Sequence, residues 1–444
     1  MKKLLALVLL ATTVTVSAVA TVRPVAAASR PNVLLVISDD QRWDKITPKY
    51  MPNVYAWSQL ATSTAFTNSF VSNPLCCPSR TTILTGRYSH TTGVWTNSGP
   101  YGGFGAFNDK HTLATDFQDQ GYRTALIGKY LNGYNPGETR YVPPGWNKWF
   151  ATRTGAYYDY EVQTKRRGTL SYGHTNADYS TRVLKNEAID WINTGNDTPF
   201  FMYLAFSAPH RPATPQQIDI NRFAGDPDYT FGLPNASQLD SAYGVDRAFG
   251  QILAALPPNT IVVYMSDNGF MWDENHPGHG VLYGKIWPYN SSIRVPIIIG
   301  GVNNAVQPLA AGKQDIVANV DLRTSLLHAV GLAPETSQEG INWFKPTYVP
   351  RDHLEIEHFD PTDAATYCGI RTVDAMYARF HNADGTYSEE LFNYTGQGSV
   401  SDEQTIGSDD GTMRALAKAE CDPCLLYTSP SPRDTERSRM PSSA

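Results

Sequence analysis

Positive charge is in short supply in this chain. Its 36 lysines and arginines are outnumbered by 42 aspartates and glutamates, which gives a formal net charge of −6. Such a balance offers no electrostatic basis for binding nucleic acid or an anionic membrane surface. Beyond the N-terminal segment the sequence also lacks any apolar run long enough to span a bilayer. We therefore expect a globular protein with no nucleic-acid partner and no membrane span.

Cysteine is also scarce, with five residues in a chain of 444. No cluster of cysteine and histidine has the spacing of a zinc site. In an exported protein Cys368 and Cys421 could form a disulfide, although the sequence does not fix the connectivity. Cys76 and Cys77 are adjacent and lie far from that pair.

The two ends of the chain differ from the rest. Residues 1–28 combine lysines, an apolar run and small residues ending at Ala28, which is the pattern of a bacterial secretory signal peptide. Residues 424–444 have no periodicity and resemble a translated sequencing adapter, so we interpret them as a non-native tail. We expect export, either to the periplasm or to the medium, after removal of the signal peptide.

Four apolar runs, each followed by polar or charged residues, predict strands that are buried on both faces of a sheet. Helical patterns at residues 179–192 and 245–256 separate some of them. This alternation predicts an α/β sandwich with a mostly parallel central sheet and helices on both faces. The runs and the residues after them are 33–37 before Asp39 and Asp40, 125–127 before Lys129, 200–206 before His210, and 261–265 before Asp267 and Asn268.

The pattern loosens near residues 340–355, and we place a boundary there. The first unit spans residues 29–345, and the second, smaller unit spans residues 346–423. The core of the smaller unit is expected to include residues 354–356, 368–373 and 376–380, with a helix near 412–420 and a hairpin turn at Asp384 and Gly385.

The residues around Cys76 include the start and stop signals of a short helix. Pro78 suits the first turn of a helix, and Gly86 suits its end. Cys76 therefore lies at a positive helix end, which favours a thiolate or a bound sulfate or phosphate group, and Arg80 adds a cation one turn further on. The alternative is a buried cysteine pair before an ordinary helix.

Residues 76–86 resemble the signature of the type I sulfatases, which is Cys-x-Pro-Ser-Arg followed by an apolar pair, Thr and Gly. The resemblance implies that Cys76 is oxidised to formylglycine by a formylglycine-generating enzyme. It also implies an alkaline-phosphatase-like fold, in which residues 29–345 are the catalytic domain and the C-terminal unit carries a short antiparallel sheet.

The acidic residues at the strand ends form an all-oxygen set that would prefer a hard cation. Either pair could instead be a solvated turn or a helix cap. The resemblance implies that the set binds Ca²⁺ together with the modified Cys76. Its members are Asp39, Asp40, Asp267 and Asn268.

The resemblance also implies a set of groups that bind sulfate and transfer protons, namely Arg80, Lys129, His210 and Lys285. Asp267 is a candidate base for the attacking hydroxyl, and His210 or Lys285 is a candidate proton donor to the departing alcohol. The alternatives are solvated lysines and a core histidine at position 210. We interpret His276 and His279 as polar loop residues.

One position departs from the family. Leu131 stands where many members have a histidine, so the group that takes the final proton is undefined. Residues 129–134 and 142–146 instead resemble the branch that removes 6-O-sulfate from N-acetylglucosamine. Candidate substrate contacts are His90, Asn97 and Asn132.

Residues 130–172 are dense in aromatic side chains, including Trp149 and Tyr158. These rings could stack on sugars, or they could simply pack a long insertion.

The sequence thus predicts a secreted, Ca²⁺-dependent sulfatase that acts on a sulfated carbohydrate or an aryl sulfate, with an N-acetylglucosamine 6-sulfate unit as the favoured substrate. Two alternatives stay open: a phosphonate or phosphate ester hydrolase on the same scaffold, and a non-catalytic glycan-binding homologue.

Overall fold

The computed structural model describes residues 30–425, apart from 136, 139, 154, 196, 230–236, 277–278, 303–308, 334–337, 361–364, 383, 395–403 and 406–410. The predicted signal peptide lies outside the described residues, as does the predicted non-native tail beyond Leu425. Within the described ranges, no helix has both the length and the apolar character needed to cross a membrane.

The strands belong to two main sheets and two small ones. In chain order they are β1 Asn32–Ser38, β2 Ser63–Ala65, β3 Asn68–Phe70, β4 Arg123–Lys129, β5 Lys148–Thr152, β6 Tyr160–Thr164, β7 Gly168–Tyr172, β8 Phe200–Ala205, β9 Thr260–Ser266, β10 Met271–His276, β11 Gly280–Gly284, β12 Ile297–Val302, β13 Ile316–Ala318, β14 Leu354–His358, β15 Tyr367–Arg371, β16 Ala375–His381, β17 Tyr387–Asn393 and β18 Gln404–Thr405.

The helices range from single turns to long amphipathic segments. In chain order they are α1 Pro52–Ser58, α2 Cys76–Thr85, α3 Ser89–Thr92, α4 Gly103–Ala106, α5 Leu113–Asp119, α6 Ser180–Asn193, α7 Gln238–Ala255, α8 Asn290–Ile293, α9 Leu322–Ala329 and α10 Thr412–Leu425. The predicted helix at 179–192 is confirmed as α6, whereas the one predicted at 245–256 begins earlier, at Gln238.

The largest sheet has nine strands in the order β2-β12-β9-β1-β8-β4-β5-β6-β7. The four runs predicted as buried strands are its central members, and β9, β1, β8 and β4 pair in parallel. Antiparallel strands complete both edges of the sheet. Because the carboxyl ends of the four parallel strands lie at one edge, the polar residues that follow them converge there.

Helices cover both faces of this sheet, as the alternation of strands and helices predicts. Val33, Leu35 and Ile37 of β1 pack into one hydrophobic cluster, and Leu34 and Val36 pack into the opposite one. All five side chains are fully buried, which explains why this strand is an unbroken apolar run and not an alternating one.

The C-terminal unit is a five-stranded antiparallel sheet in the order β14-β15-β16-β17-β18, with α10 packed against it. Gly385 lies in the turn between β16 and β17 with φ of +82°, which supports the predicted hairpin. A disulfide joins Cys368 to Cys421. Helix α10 continues to Leu425, so it is longer than the helix predicted near 412–420 and enters the segment interpreted as non-native.

Candidate active site

Cys76 begins helix α2 at the edge of the main sheet where the parallel strands end. The helix ends at Gly86, whose left-handed φ of +66° and N–H bond to the carbonyl of Thr82 confirm the predicted stop. The side chain of Cys76 is fully buried. Its Sγ lies 2.8 Å from Lys285 Nζ and 3.5 Å from Asp39 Oδ1.

The end of β1 brings two consecutive carboxylates to one place. Asp40 has a φ of +63°, a left-handed conformation that aspartate tolerates better than most residues. This turn breaks the alternation of the strand, so that Asp39 and Asp40 both face Cys76 and His210. One ligand atom from each of these four residues lies within 4.8 Å of the other three.

The end of β9 adds two more polar residues to this group. Asp267 Oδ1 accepts the backbone N–H of Asp40 at 3.2 Å, and Asn268 Nδ2 donates to Asp40 Oδ1 at 2.7 Å. The other amide atom, Asn268 Oδ1, is buried and has no hydrogen-bond partner within the described structure. A buried oxygen acceptor without a partner beside three carboxylates fits a hard cation such as Ca²⁺.

Each carboxylate is paired with a cation. Lys129 Nζ lies 2.5 Å from Asp39 Oδ2, and Lys285 Nζ lies 2.5 Å from Asp40 Oδ1. Arg80 Nε donates to Asp267 Oδ2 at 2.8 Å. The site is therefore close to electrical balance, which is required for so many charges to be buried together.

A glycine allows Lys129 to reach this position. Gly128 has a φ of +109°, and a Cβ at that residue would lie 1.9 Å from the carbonyl oxygen of Ala205 on the neighbouring strand. Only glycine permits the strand ends to approach so closely. Arg80 also donates to the carbonyl of Lys129 at 3.0 Å, which fixes the end of β4 against α2.

The charges set the protonation state of the site. Burial would raise the pKa of Asp39, but the neighbouring positive charges, Lys129 foremost, outweigh burial and lower it to about 2. Burial, reinforced by Asp39, raises the pKa of the Cys76 thiol to about 12. Burial thus opposes the thiolate that the helix end favours, and it keeps the unmodified Cys76 thiol protonated at neutral pH.

Three hydrogen bonds hold Asp267, the sequence-based candidate for the base. Its Oδ2 accepts from Arg80, and its Oδ1 accepts the backbone N–H groups of Asp40 and Asn268. Asp39 Oδ1 is the carboxylate oxygen that lies against the side chain of Cys76. Asp39 is engaged in a similar way, since its Oδ2 pairs with Lys129 and its pKa is lowered, so the role of Asp267 as the base stays a prediction.

His210 stands at the outer side of the carboxylate pair. Its Nε2 lies 3.7 Å from Asp40 Oδ2, and its side chain is 22% exposed, so it is not a core histidine. Its Nδ1 lies 2.5 Å from the carbonyl oxygen of Arg211, and the hydroxyl of Tyr157 donates to the carbonyl of His210 at 2.5 Å. The sequence did not identify Tyr157, because its contact arises only when the insertion folds against the loop after β8.

The three candidate substrate contacts all make protein contacts. Asn97 Oδ1 accepts the N–H of Cys77 at 2.9 Å, and the N–H of Asn132 donates to the sulfur of Cys77 at 3.0 Å. Both residues therefore hold the start of α2. His90 Nδ1 lies 3.0 Å from Glu357 Oε2, at the junction with the C-terminal sheet. Their contact with a substrate stays a prediction.

The aromatic insertion mostly fills the core. Trp149, Tyr130 and Tyr134 have at most 1% of their surface exposed, and their rings pack edge to face. For Trp149, which is fully buried, the structure supports the alternative that the ring packs the insertion. Tyr158 is half-buried and packs against the ring of Tyr179.

The interpretation of His276 changes, whereas His279 lies in a turn as predicted. His276 belongs to β10, is 3% exposed and stacks on Tyr289 at 4.0 Å, so it is not a polar loop residue. His279 Nε2 pairs with Glu390 at 2.7 Å and thus connects to the C-terminal sheet. Leu131 is 1% exposed and belongs to the main core. Its hydrocarbon side chain has no group that accepts a proton.

Comparison with known proteins places this geometry in context. A family model described as sulfatase matches residues 31–332. Human N-acetylglucosamine-6-sulfatase is 28% identical over 69% of this chain and 62% of its own length. The chain spans between 31% and 63% of the length of the first curated relatives it matches.

Two solved structures show the same fold at low identity. BT4656, in complex with its substrate D-glucosamine-2-N,6-O-disulfate, has a TM-score of 0.70 at 19% identity, over 90% of this chain and 99% of its own. A phosphonate monoester hydrolase from Silicibacter pomeroyi has a TM-score of 0.61 at 17% identity, over 91% of this chain and 96% of its own.

Proposed function

The chain belongs to the sulfatase family, and we propose that it hydrolyses sulfate monoesters through a formylglycine made from Cys76 and a bound Ca²⁺. The observation that carries this proposal is the convergence of Asp39, Asp40, Cys76 and His210 within 4.8 Å. Around this group, three further cations neutralise the buried carboxylates.

The residues fit both groups. Asp39, Asp40, Asp267 and Asn268 would hold the cation together with the modified residue 76. When present, the formylglycine hydrate supplies a hydroxyl nucleophile, and Ca²⁺ supplies the charge that acidifies it and neutralises sulfate oxygens. A protonated thiol with a raised pKa is a poor nucleophile, which is consistent with the need for the modification.

The basic side chains have distinct tasks in this proposal. Arg80 and Lys129 lie at the base of the site, where they hold Asp267 and Asp39 ionised and present positive charge to the sulfate. Lys285 lies between Asp40 and residue 76 and binds a sulfate oxygen. Asp267 is the candidate base for the hydroxyl at position 76, and His210 donates a proton to the departing oxygen.

The favoured substrate is a sulfated sugar, with N-acetylglucosamine 6-sulfate as the specific candidate. This choice is supported by the name of the human relative and by residues 129–134 and 142–146. The N-terminal sequence supports export, and a formylglycine-generating enzyme would act on the segment around Cys76 during maturation.

A paired assay tests the reaction class. Protein coexpressed with a formylglycine-generating enzyme would be given 4-nitrophenyl sulfate and 4-nitrophenyl phosphate, which share one leaving group. We expect kcat/KM for the sulfate to be larger by at least about 100-fold. Preference for the phosphate would favour the phosphoester alternative, whereas absence of turnover on both esters and on N-acetylglucosamine 6-sulfate would favour a glycan-binding role.

A further inference from the structure

Arg211 is an exposed cation at the edge of the candidate site. It directly follows His210, and its guanidinium forms no ion pair with any acidic side chain that the structure describes. The basic residues deeper in the site behave differently, since Arg80 and Lys129 each pair with a carboxylate. Arg211 therefore has charge and hydrogen-bonding capacity that no acidic side chain among the described residues occupies.

The side chain of Arg211 is nevertheless held in one place. Its Cζ lies 4.7 Å from the centre of the Tyr283 ring, which is the geometry of a cation–π contact. Tyr283 packs edge to face against Phe270 with 5.1 Å between the ring centres. An arginine that is oriented by an aromatic face loses less entropy when it binds a ligand than a freely moving one.

The contact with Tyr283 links two catalytic loops. Tyr283 lies on β11, two residues before Lys285, whereas Arg211 directly follows His210. Lys285 and His210 approach the two oxygens of Asp40, at 2.5 Å and 3.7 Å. His210 and Lys285 have 22% and 13% of their side-chain surface exposed, whereas Asp40 between them has 1%. Arg211 thus lies on the side of the candidate site that faces solvent.

We infer that Arg211 binds a second anionic group of the substrate and so selects for polyanionic sulfated sugars. The group is an oxyanion, either a sulfate elsewhere on the same sugar or a carboxylate on the neighbouring sugar. Both present oxygens that a guanidinium can bind with two parallel hydrogen bonds. The inference rests on the proposed function for the identity of the ligand, and it adds a residue that discriminates among sulfated substrates.

The kinetic test uses Arg211→Gln, with Arg166→Gln as the matched control. Arg166 is also exposed, but it lies in the turn between β6 and β7 at the far edge of the sheet. We expect Arg211→Gln to lower kcat/KM for glucosamine 2-N,6-O-disulfate by about tenfold more than for 4-nitrophenyl sulfate, mainly through KM. Tyr283→Ala should show part of this effect, and Tyr283→Phe, which keeps a ring, little of it.

Two further substrates identify which anionic group of the substrate Arg211 binds. Glucosamine 6-sulfate lacks a second anion, and a 6-sulfated disaccharide with a uronate neighbour supplies a carboxylate in its place. A loss confined to the disulfate assigns Arg211 to a sulfate on the same sugar, and a loss confined to the uronate disaccharide assigns it to the neighbouring carboxylate. Equal losses on all substrates would overturn the inference and make Arg211 a positioning residue for His210.

Binding to inactive protein separates this inference from the proposed function. In a Cys76→Ala background, calorimetry would compare the disulfate with glucosamine 6-sulfate in the presence and absence of Arg211→Gln. We expect Kd for the disulfate to rise by about tenfold, and Kd for the monosulfate to change less than about twofold. The 6-sulfated disaccharide with a uronate neighbour is the third ligand, and an equal change for all three ligands contradicts the inference even if the enzyme hydrolyses sulfate esters.

Discussion

The base and the rim of the candidate site are built on opposite principles. At the base, Asp39, Asp267, Arg80 and Lys129 have no exposed side-chain surface, and every charge has a partner of opposite sign. At the rim, His210 is 22% exposed and Arg211 lies open to solvent. The base is therefore organised before any ligand arrives, whereas the rim keeps charge available for it.

This difference predicts how substitutions should behave. Removal of one partner of a buried ion pair leaves an uncompensated charge and costs about 3–5 kcal/mol. A change at the base should therefore affect stability and every substrate. A change at the rim should affect substrates unequally and leave the fold largely intact.

The largest effect is expected from Asp267→Asn. It removes the charge that pairs with Arg80 and one oxygen ligand of the proposed cation. We expect kcat to fall at least about 1000-fold on every substrate, with a lower melting temperature. Steady-state kinetics and calorimetry provide the measurement.

Asp159→Asn is the matched control for that substitution. Asp159 pairs with His174 at an exposed position, and its φ of +50° is one that asparagine tolerates. Its kcat and melting temperature should match those of the protein without a substitution. An Asp267→Asn protein that keeps more than a tenth of its activity would contradict the distinction between base and rim.

Removal of divalent cations is the next test of the base. Chelation should lower activity about 100-fold and lower the melting temperature, because an ion that binds only the folded protein stabilises the folded state. Added Ca²⁺ should restore both. In Asp267→Asn the melting temperature should respond much less to chelation, and an equal response in both proteins would argue against a cation at this place.

At the rim, His210→Gln should distinguish among leaving groups. A sugar alkoxide needs a proton as it departs, whereas 4-nitrophenolate does not. We expect a loss of about 100-fold on N-acetylglucosamine 6-sulfate and about tenfold or less on 4-nitrophenyl sulfate. Similar losses on the two substrates would show that His210 does not donate that proton.

The smallest effect is expected at His90, which contacts the C-terminal sheet through Glu357. Burial would lower the pKa of His90, but its hydrogen bond to Glu357 outweighs burial and raises the pKa from 6.5 to about 9. A raised folded-state pKa stabilises the fold below pH 6.5, and this contribution is lost as pH rises through about 9. The free energy of unfolding, measured with denaturant, should therefore decline more steeply over that pH range in the natural protein than in the His90→Gln protein.

The comparison protein for the pH series is His111→Gln, since His111 is exposed and lies away from Glu357. Its unfolding free energy should follow the natural protein across the range. If His90→Gln also follows the natural protein, the contact with Glu357 contributes nothing to stability.

The main features of the fold could be predicted because they depend on local sequence. The apolar runs at residues 33–37 and 261–265 are too long and continuous for half-exposed strands, and they became adjacent parallel strands. Parallel neighbours end at the same edge, so the sequence alone indicated that Asp39, Asp40, Asp267 and Asn268 would meet.

Other features depend on tertiary contacts that carry no local signal. The sequence could not distinguish Trp149 in a core from Trp149 on a sugar-binding face, because both require the same residue type. Nor did any spacing indicate that Asp39, and not Asp267, lies against residue 76. That distinction arises from Arg80, which occupies one oxygen of Asp267 from a different element.

The measurement that tests the account most directly is the chemical state of residue 76 in active protein. Mass spectrometry of the peptide that contains Cys76 and Cys77 would be combined with hydrazide labelling and with activity at several levels of coexpressed modifying enzyme. We predict that activity rises in proportion to the aldehyde at position 76, that Cys77 stays a thiol, and that Cys76→Ala has neither aldehyde nor turnover. Full activity in protein whose Cys76 is entirely a thiol would contradict the account.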